Sequence, residues 1–268
     1  MSYPVQKKIK TGENVLRAAV ERINWVFDTF AEICLSFSGG KDSTVLFHLV
    51  ADIARRKKRR FSVLFIDWEA QYLCTVRHVQ EMRELYMDVT ESFYWVALPL
   101  TTVNGVSQFQ PEWICWESGV EWVRQPPDYA VTDPNFFPFY QYAMTFEEFI
   151  PAFSSWMARS KRGLAVLTGV RADESLNRFI GLASQHKLRY ADDKPWTTAS
   201  QDGFYYTMYP LYDWKTRDIW IYNAKTYAIY NPLYDLMFRA GISLRNMRVC
   251  EPFGPEQRKG LWLYHVLE

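Results

Sequence analysis

Residues Ser38-Gly39-Gly40-Lys41-Asp42-Ser43-Thr44 bring together two glycines, a cation, a carboxylate and three hydroxyls. Adjacent glycines let main-chain N–H groups approach an anion closely. Lys41 adds a formal charge, the hydroxyls of Ser38, Ser43 and Thr44 add donors, and Asp42 could hold Mg²⁺ against phosphates. The chemistry is that of a phosphate cradle. Two elements must position it. The apolar run 33–37 reads as a buried strand, and Val45-Leu46-Phe47-His48-Leu49-Val50 reads as a helix on its far side. A helix that starts there presents unpaired N–H groups and its positive dipole end to the same spot.

Further candidates sit where other strands end. The run 61–66 is a second buried strand, followed by Asp67 and Glu69. Acidic residues at the carboxyl end of a parallel strand face the ligand crevice, so Asp67 could contact ribose, metal or substrate. Glu69 could do the same or cap the next helix. The run 163–168 is another strand and leads into Gly169-Val170-Arg171. Arg171 offers an oxyanion a planar fork of donors. Glu174 and Arg178 are four apart, the spacing of a helix-surface ion pair.

The remaining elements follow from periodicity. Residues 1–12 form a loose polar arm and 14–30 an amphipathic helix. The helix after the glycine turn runs to about Arg56 and ends in a basic run, 55–60. That run is either a solvated helix end or a nucleic-acid contact. Helices over 71–86 and 145–160, a strand over 92–98 and an edge strand over 204–209 follow, with further helices after Asp213 and Asn231. Residues 185–203 are polar and read as mobile, whereas 100–143 are dense in Trp, Tyr, Phe and Pro. This aromatic insertion either packs locally, partly over the site, or stacks on a base.

Composition narrows the class. The 268 residues are 49% hydrophobic with net charge +1, so no global field favours nucleic acid or an acidic membrane. The four cysteines show no paired or metal-ligand spacing, and no signal peptide is evident, which fits a reducing cytoplasm. No apolar run approaches the about 18 residues of a membrane span.

The glycine turn is not a Walker A motif, because Leu35 stands where the first glycine belongs and Asp42 follows Gly40-Lys41. It resembles the PP-loop, Ser-Gly-Gly-x-Asp-Ser, of ATP pyrophosphatases. With TGVRADESLNR (168–178), YPLYDWKTRDIWIYN (209–223) and YNPLYDLMFRAGI (230–242) in order, the chain resembles the phosphoadenosine phosphosulfate (PAPS) reductase superfamily. Within it, the chain is most similar to the branch of PAPS-reductase-like proteins that includes immunoglobulin-binding regulator A. The resemblance runs from about Lys10 to the last residue, and such proteins usually continue further, so this is expected to be a shortened member or a fragment.

The resemblance implies an α/β, Rossmann-like adenine nucleotide α-hydrolase fold. Its mainly parallel five-stranded sheet would carry flanking helices and a C-terminal helical appendage. A nucleotide-binding domain over 1–213 would be closed by a helical segment over 214–268. Ser38, Gly39, Gly40, Lys41, Asp42 and Ser43 would embrace the phosphates of ATP, with Mg²⁺ at Asp42. Phe37, Ile66 and Asp67 would line adenine and ribose. Gly169 would let the nucleotide approach its strand, and Lys41, Asp42 and Arg171 would be catalytic. Glu69, Glu174, Arg178, Lys215, Arg217 and Arg248 are further substrate candidates. A protein partner, such as a ParB-like nuclease or regulator, is implied, with nucleic acid as an alternative partner. One departure matters. The Glu-Cys-Gly-Ile-His motif of true PAPS reductases is absent, and Cys250 lies in Arg248-Val249-Cys250-Glu251-Pro252. True PAPS reductases also tend to lack the lysine and the Ser-Gly-Gly-Lys-Asp-Ser form seen here, and in that respect the chain is more similar to the ATP sulfurylase small subunit and to PP-loop enzymes of DNA phosphorothioation. The expectation is therefore ATP cleavage between the α and β phosphates, by an adenylyltransferase, with a nucleotide-sensing regulator as the alternative.

Overall fold

The computed structural model describes residues 14–158, 163–173, 188–191, 194–244 and 246–268. Glu174 and Arg178 lie outside these described residues.

Strand–helix alternation builds the sheet. Helix α1 (Val15–Thr29) starts where the Asn14 side chain accepts a hydrogen bond from the Leu16 N–H. It leads into β1 (Glu32–Ser36), α2 (Lys41–Lys57), β2 (Phe61–Ile66), α3 (Leu73–Leu85) and β3 (Thr90–Val96). A ribbon of β4 (Leu100–Val103) and β5 (Glu112–Cys115) precedes α4 (Phe146–Met157) and β6 (Leu164–Thr168). Then come β7 (Thr197–Ala199), β8 (Tyr205–Met208), α5 (Thr216–Thr226), α6 (Leu233–Arg239) and a short α7 (Tyr264–Leu267).

The main sheet has the order β3-β2-β1-β6-β8-β7 and is parallel except for β7, which runs antiparallel to β8. It is mostly parallel, as expected, but has six strands rather than five. The strand expected at the edge, β8, is therefore interior. The outer strand lies in the segment read as mobile. Trp196, just before β7, is buried and packs edge-on against Trp25 of α1, which fixes the start of β7 to the core.

The strands alternate between two cores, as a sheet covered on both faces requires. Ile33 and Leu35 of β1, Val63 and Phe65 of β2, and Ala165 and Leu167 of β6 face α1, α2 and α3. Cys34, Leu64, Ile66 and Val166 face α4 and the aromatic insertion. Phe137 of the insertion is 1% exposed and meets Phe139, Phe149, Phe153 and Trp156 ring to ring. These rings form the cover of one sheet face. A third, smaller core joins Leu233, Tyr234, Met237, Ile242, Met247, Val249 and Leu263 to Tyr72.

The basic run at the end of α2 is engaged with the protein. Arg55 pairs with Asp88 at 2.7 Å, Arg56 with Asp52 at 2.7 Å and Lys57 with Asp28 at 2.6 Å. Arg59 donates to the carbonyls of Phe27, Phe30 and Ala31, closing the end of α1. Among the described residues, no helix is long and apolar enough to cross a membrane.

Candidate functional site

The order of strands reverses between β1 and β6. The turn after β1 and the turn after β6 therefore open into one crevice at the carboxyl edge, where open α/β sheets bind ligands. The first turn is residues 37–40. Gly39 has φ +71°, and a Cβ there would meet Thr75 Cγ2 at 2.9 Å and Val79 Cγ2 at 3.0 Å. Glycine is needed to press this turn onto α3. Ser38 and Ser43 lock it from within. Their hydroxyls lie 3.0 Å apart, and Ser43 Oγ also donates to the Gly40 carbonyl at 3.0 Å.

Lys41 and Asp42 open α2. Lys41 is only 4% exposed. Its Nζ lies 3.1 Å from Asp42 Oδ2 and 5.4 Å from the centre of the Tyr234 ring. Its main-chain N–H donates to Tyr234 Oη at 3.0 Å. Arg171 is 1% exposed and reaches the same carboxylate, with Nε 2.7 Å from Asp42 Oδ1. Its other nitrogens donate to the Trp214 carbonyl and Thr216 Oγ1, both at 3.4 Å. Asp42 thus sits between two cations at a helix N-terminus. The arrangement favours an added anion.

Three expected contacts take a different form. Gly169 brings protein rather than ligand close: a Cβ there would lie 2.8 Å from Ser43 N and 3.0 Å from Asp42 C. It lets the end of β6 abut the first turn of α2. Asp67 is fully buried and turned inward. It accepts from Trp95 Nε1 at 2.7 Å, from the Glu69 N–H at 2.9 Å, and from Arg124. Burial raises its pKa, and Arg124 works against that rise. Glu69, with φ +60°, grips the insertion, accepting from the N–H groups of Trp116 at 2.5 Å and Val123 at 2.9 Å. Both carboxylates accept hydrogen bonds from protein donors on each of their oxygens.

The other candidates are spread out. Phe37 and Ile66 are buried, at the ends of their strands. Lys215 and Arg217 are exposed at the start of α5. Arg248 pairs with Glu256 at 3.1 Å and lies within electrostatic reach of Tyr234.

Residues that the sequence reading missed complete the crevice. Asn231 donates to the Gly39 carbonyl at 3.1 Å and to Thr75 Oγ1 at 2.8 Å, tying the approach to α6 onto the glycine turn. Gln71, 4% exposed in the turn between β2 and α3, has both amide atoms buried without a hydrogen-bond partner. Arg124 likewise has Nε and Nη1 buried and unpartnered. The one signal for Asn231 and Tyr234 was polar atoms inside Tyr230-Asn231-Pro232-Leu233-Tyr234, an otherwise apolar stretch.

A parallel sheet covered on both faces, with a Ser-Gly-Gly-Lys-Asp-Ser turn at its switch point, defines an α/β protein of the PP-loop kind. The chain belongs to the phosphoadenosine phosphosulfate reductase domain family, whose model matches residues 32–104 and 154–240. It is 59% identical over 261 residues to uncharacterized protein YbdN of Escherichia coli (strain K12), covering 97% of this chain and 64% of that one. The chain thus spans less than two-thirds of that relative's length. Among solved structures it is similar to PAPS reductase from Candida auris in a phosphate complex. That match has TM-score 0.43 and 16% identity, over 88% of this chain and 93% of the other. It is also similar to Candida glabrata FMN adenylyltransferase with FAD and pyrophosphate, at TM-score 0.44 and 13% identity, over 85% and 63%.

Proposed function

We propose that this chain binds ATP with its phosphates at the Gly39-Gly40 turn and cleaves it between the α and β phosphates, transferring AMP to an acceptor. The observation that carries this reading is the pairing of a glycine turn at the switch point with Asp42 held between Lys41 and Arg171.

The first turn of α2 would bind phosphate oxygens through its N–H groups and dipole. Lys41 Nζ would leave Asp42 for the phosphates and offset the charge that grows on the leaving pyrophosphate. Arg171, buried and shared with Asp42, would keep that carboxylate in place while Lys41 moves. An acceptor oxygen forms a bond to the α phosphorus, and the bond to the bridging oxygen breaks. Pyrophosphate leaves with the electron pair, and the acceptor proton passes to solvent. No covalent catalyst is needed, because positioning and charge supply the rate.

Mg²⁺ fits the residues less well. Both Asp42 oxygens already face cations, and among the described residues no group of three or more His, Cys, Asp or Glu could hold a metal ion. Such an ion would be bound largely by the phosphates themselves. The roles given to Lys41, Asp42 and Arg171 do not depend on it.

A second reading is a nucleotide-sensing regulator of the kind suggested by the immunoglobulin-binding regulator A resemblance, acting on a protein partner or DNA. It is favoured by the contact between Tyr234 and the Lys41 N–H, because a phosphate arriving there displaces a residue of the C-terminal segment. Incubation with Mg²⁺, α-labelled ATP and candidate acceptors separates the readings. AMP transfer with pyrophosphate release is expected from the first. Binding without either product, even with partner present, leaves the second. Under the first reading Cys250→Ser retains cleavage, and its loss would indicate thiol chemistry.

A further inference from the structure

A third cation stands beside the glycine turn, and the C-terminal segment supplies it. Residues 247–249 cross the rim of that turn. A Cβ placed at Gly40 would lie 3.5 Å from Val249 Cγ2 and 3.4 Å from Tyr234 Oη, so Val249 packs directly on the turn. Met247 and Val249 are both buried and belong to the third core. These two anchors hold the main chain of Arg248 beside Gly40, while its side chain reaches the surface and is 23% exposed.

The Arg248 side chain is only loosely committed to the fold. Its Nε lies 3.1 Å from Glu256 Oε2, in an ion pair whose carboxylate is 61% exposed. A pair this open to water contributes little, because solvent screens the charges and ordering two long side chains costs entropy. Among the described residues Nη1 and Nη2 of Arg248 make no hydrogen bond, and both are reached by solvent. Arg171 is different: it is buried and bonded to Asp42, to the Trp214 carbonyl and to Thr216. Arg248 also belongs to the electrostatic group at the turn. Its charge acts on the Tyr234 hydroxyl together with those of Lys41 and Asp42, and that hydroxyl accepts from the Lys41 N–H.

A guanidinium at the rim of such a turn, with the ends of its fork unspent, suits phosphate oxygens, which it binds through parallel N–H groups. A neighbouring carboxylate holds it until that anion arrives. We propose that Arg248 binds the phosphate chain of ATP and that Glu256 competes with the phosphates for it. This rests on the reading of the glycine turn as an ATP site. Binding would exchange one ion pair for a stronger one and tie the C-terminal segment to the nucleotide.

Calorimetric titration of the intact chain with ATP tests this. Arg248→Ala is expected to weaken binding at least tenfold. Glu256→Gln, which removes the competitor, is expected to tighten it several-fold, and to have no effect in the Arg248→Ala background. Glu256 is exposed, so its variant keeps the test decisive even if Arg248→Ala folds poorly. Failure of the native chain to bind ATP would overturn both this proposal and the reading beneath it. Where the native chain binds, the proposal alone is overturned if Arg248→Ala binds as tightly, or if Glu256→Gln leaves the affinity unchanged or lowers it. It is equally overturned if Glu256→Gln tightens ATP as much without Arg248, which would make the gain a general effect of charge.

Discussion

The hydroxyl of Tyr234 accepts from the main-chain N–H of Lys41, directly after the glycine turn. Tyr234 is 3% exposed, so removing its hydroxyl leaves a buried donor without a partner. Tyr234→Phe is expected to cost about 1–3 kcal/mol in urea unfolding. ATP should then raise the melting temperature of the variant more than that of the native chain, because a phosphate oxygen restores the lost partner. Equal shifts would show that phosphate does not reach this N–H. Lys41→Met separates charge from packing. Asp42 keeps Arg171 as its partner, so the fold should survive, while ATP affinity measured by calorimetry falls about 10- to 100-fold. Unchanged affinity would remove Lys41 from the site. The local part of this geometry was legible in the sequence, since Ser38 to Ser43 are consecutive and their turn chemistry is self-contained. The burial of Lys41 was not, because Tyr234 and Asn231 arrive from nearly 200 positions away.

Between elements, the contact of α2 with α3 carries a buried pair of imidazoles. His78 Nε2 lies 3.0 Å from Thr44 Oγ1, in the first turns of α2, and its Nδ1 is buried without a partner. Burial, with a smaller contribution from nearby His48, pushes His78 down to about 3. His48, whose Nε2 lies 2.8 Å from the Ile229 carbonyl, is also lowered by burial. Below the ordinary histidine value the unfolded chain takes up a proton that folded His78 refuses. Stability therefore rises with pH between about 3 and 6.5 and is lost as pH falls through that window. Lowering the pH from 8 to 5 should cost about 2 kcal/mol from His78 alone. His78→Gln should flatten this dependence in urea unfolding at the two pH values, and an unchanged slope would assign it to other groups. A second test lies at the contact of β6 with α2. Gly169→Ala is expected to destabilise by about 1–3 kcal/mol, because its Cβ would meet main chain that cannot rotate away. Elements with long periodic patterns were legible to within a few residues. β4 and β5 went unread inside the aromatic insertion, and β7 has three residues, too few for alternation to register, and is fixed by Trp196 on Trp25, a contact no local pattern reveals.

At the scale of the whole molecule, the two cores on the sheet faces are continuous with the strands, while the third is built around the C-terminal segment. We propose that residues 214–268 act as a closing segment over the crevice, rooted at one end and releasable at the other. The root is Trp214 and Ile219, buried in the core of α1 and α2. The releasable part begins at Asn231, after which Leu233, Tyr234, Met237, Val249 and Leu263 cluster with one another and with Tyr72. A small number of polar contacts tie it down. Among the described residues these include Tyr234 and Asn231 on the glycine turn, Asn231 on Thr75 at 2.8 Å, Tyr72 Oη on the Gly260 carbonyl at 3.2 Å, Tyr264 Oη on the Ala70 carbonyl, the Gly105 N–H on the Phe253 carbonyl at 2.8 Å, and the Leu73 N–H on Glu268 at 2.8 Å. A unit with its own small core and few ties should open at lower free energy than the sheet. Hydrogen exchange measured by mass spectrometry is expected to show α6 and α7 exchanging well before β1 and β2. ATP should slow exchange over residues 231–250 if phosphate entry closes the segment, and speed it if displacement of Tyr234 opens it. Either change couples the crevice to the segment. Exchange of α6 in step with β1, unaffected by ATP, would instead make residues 214–268 an inseparable part of the nucleotide domain.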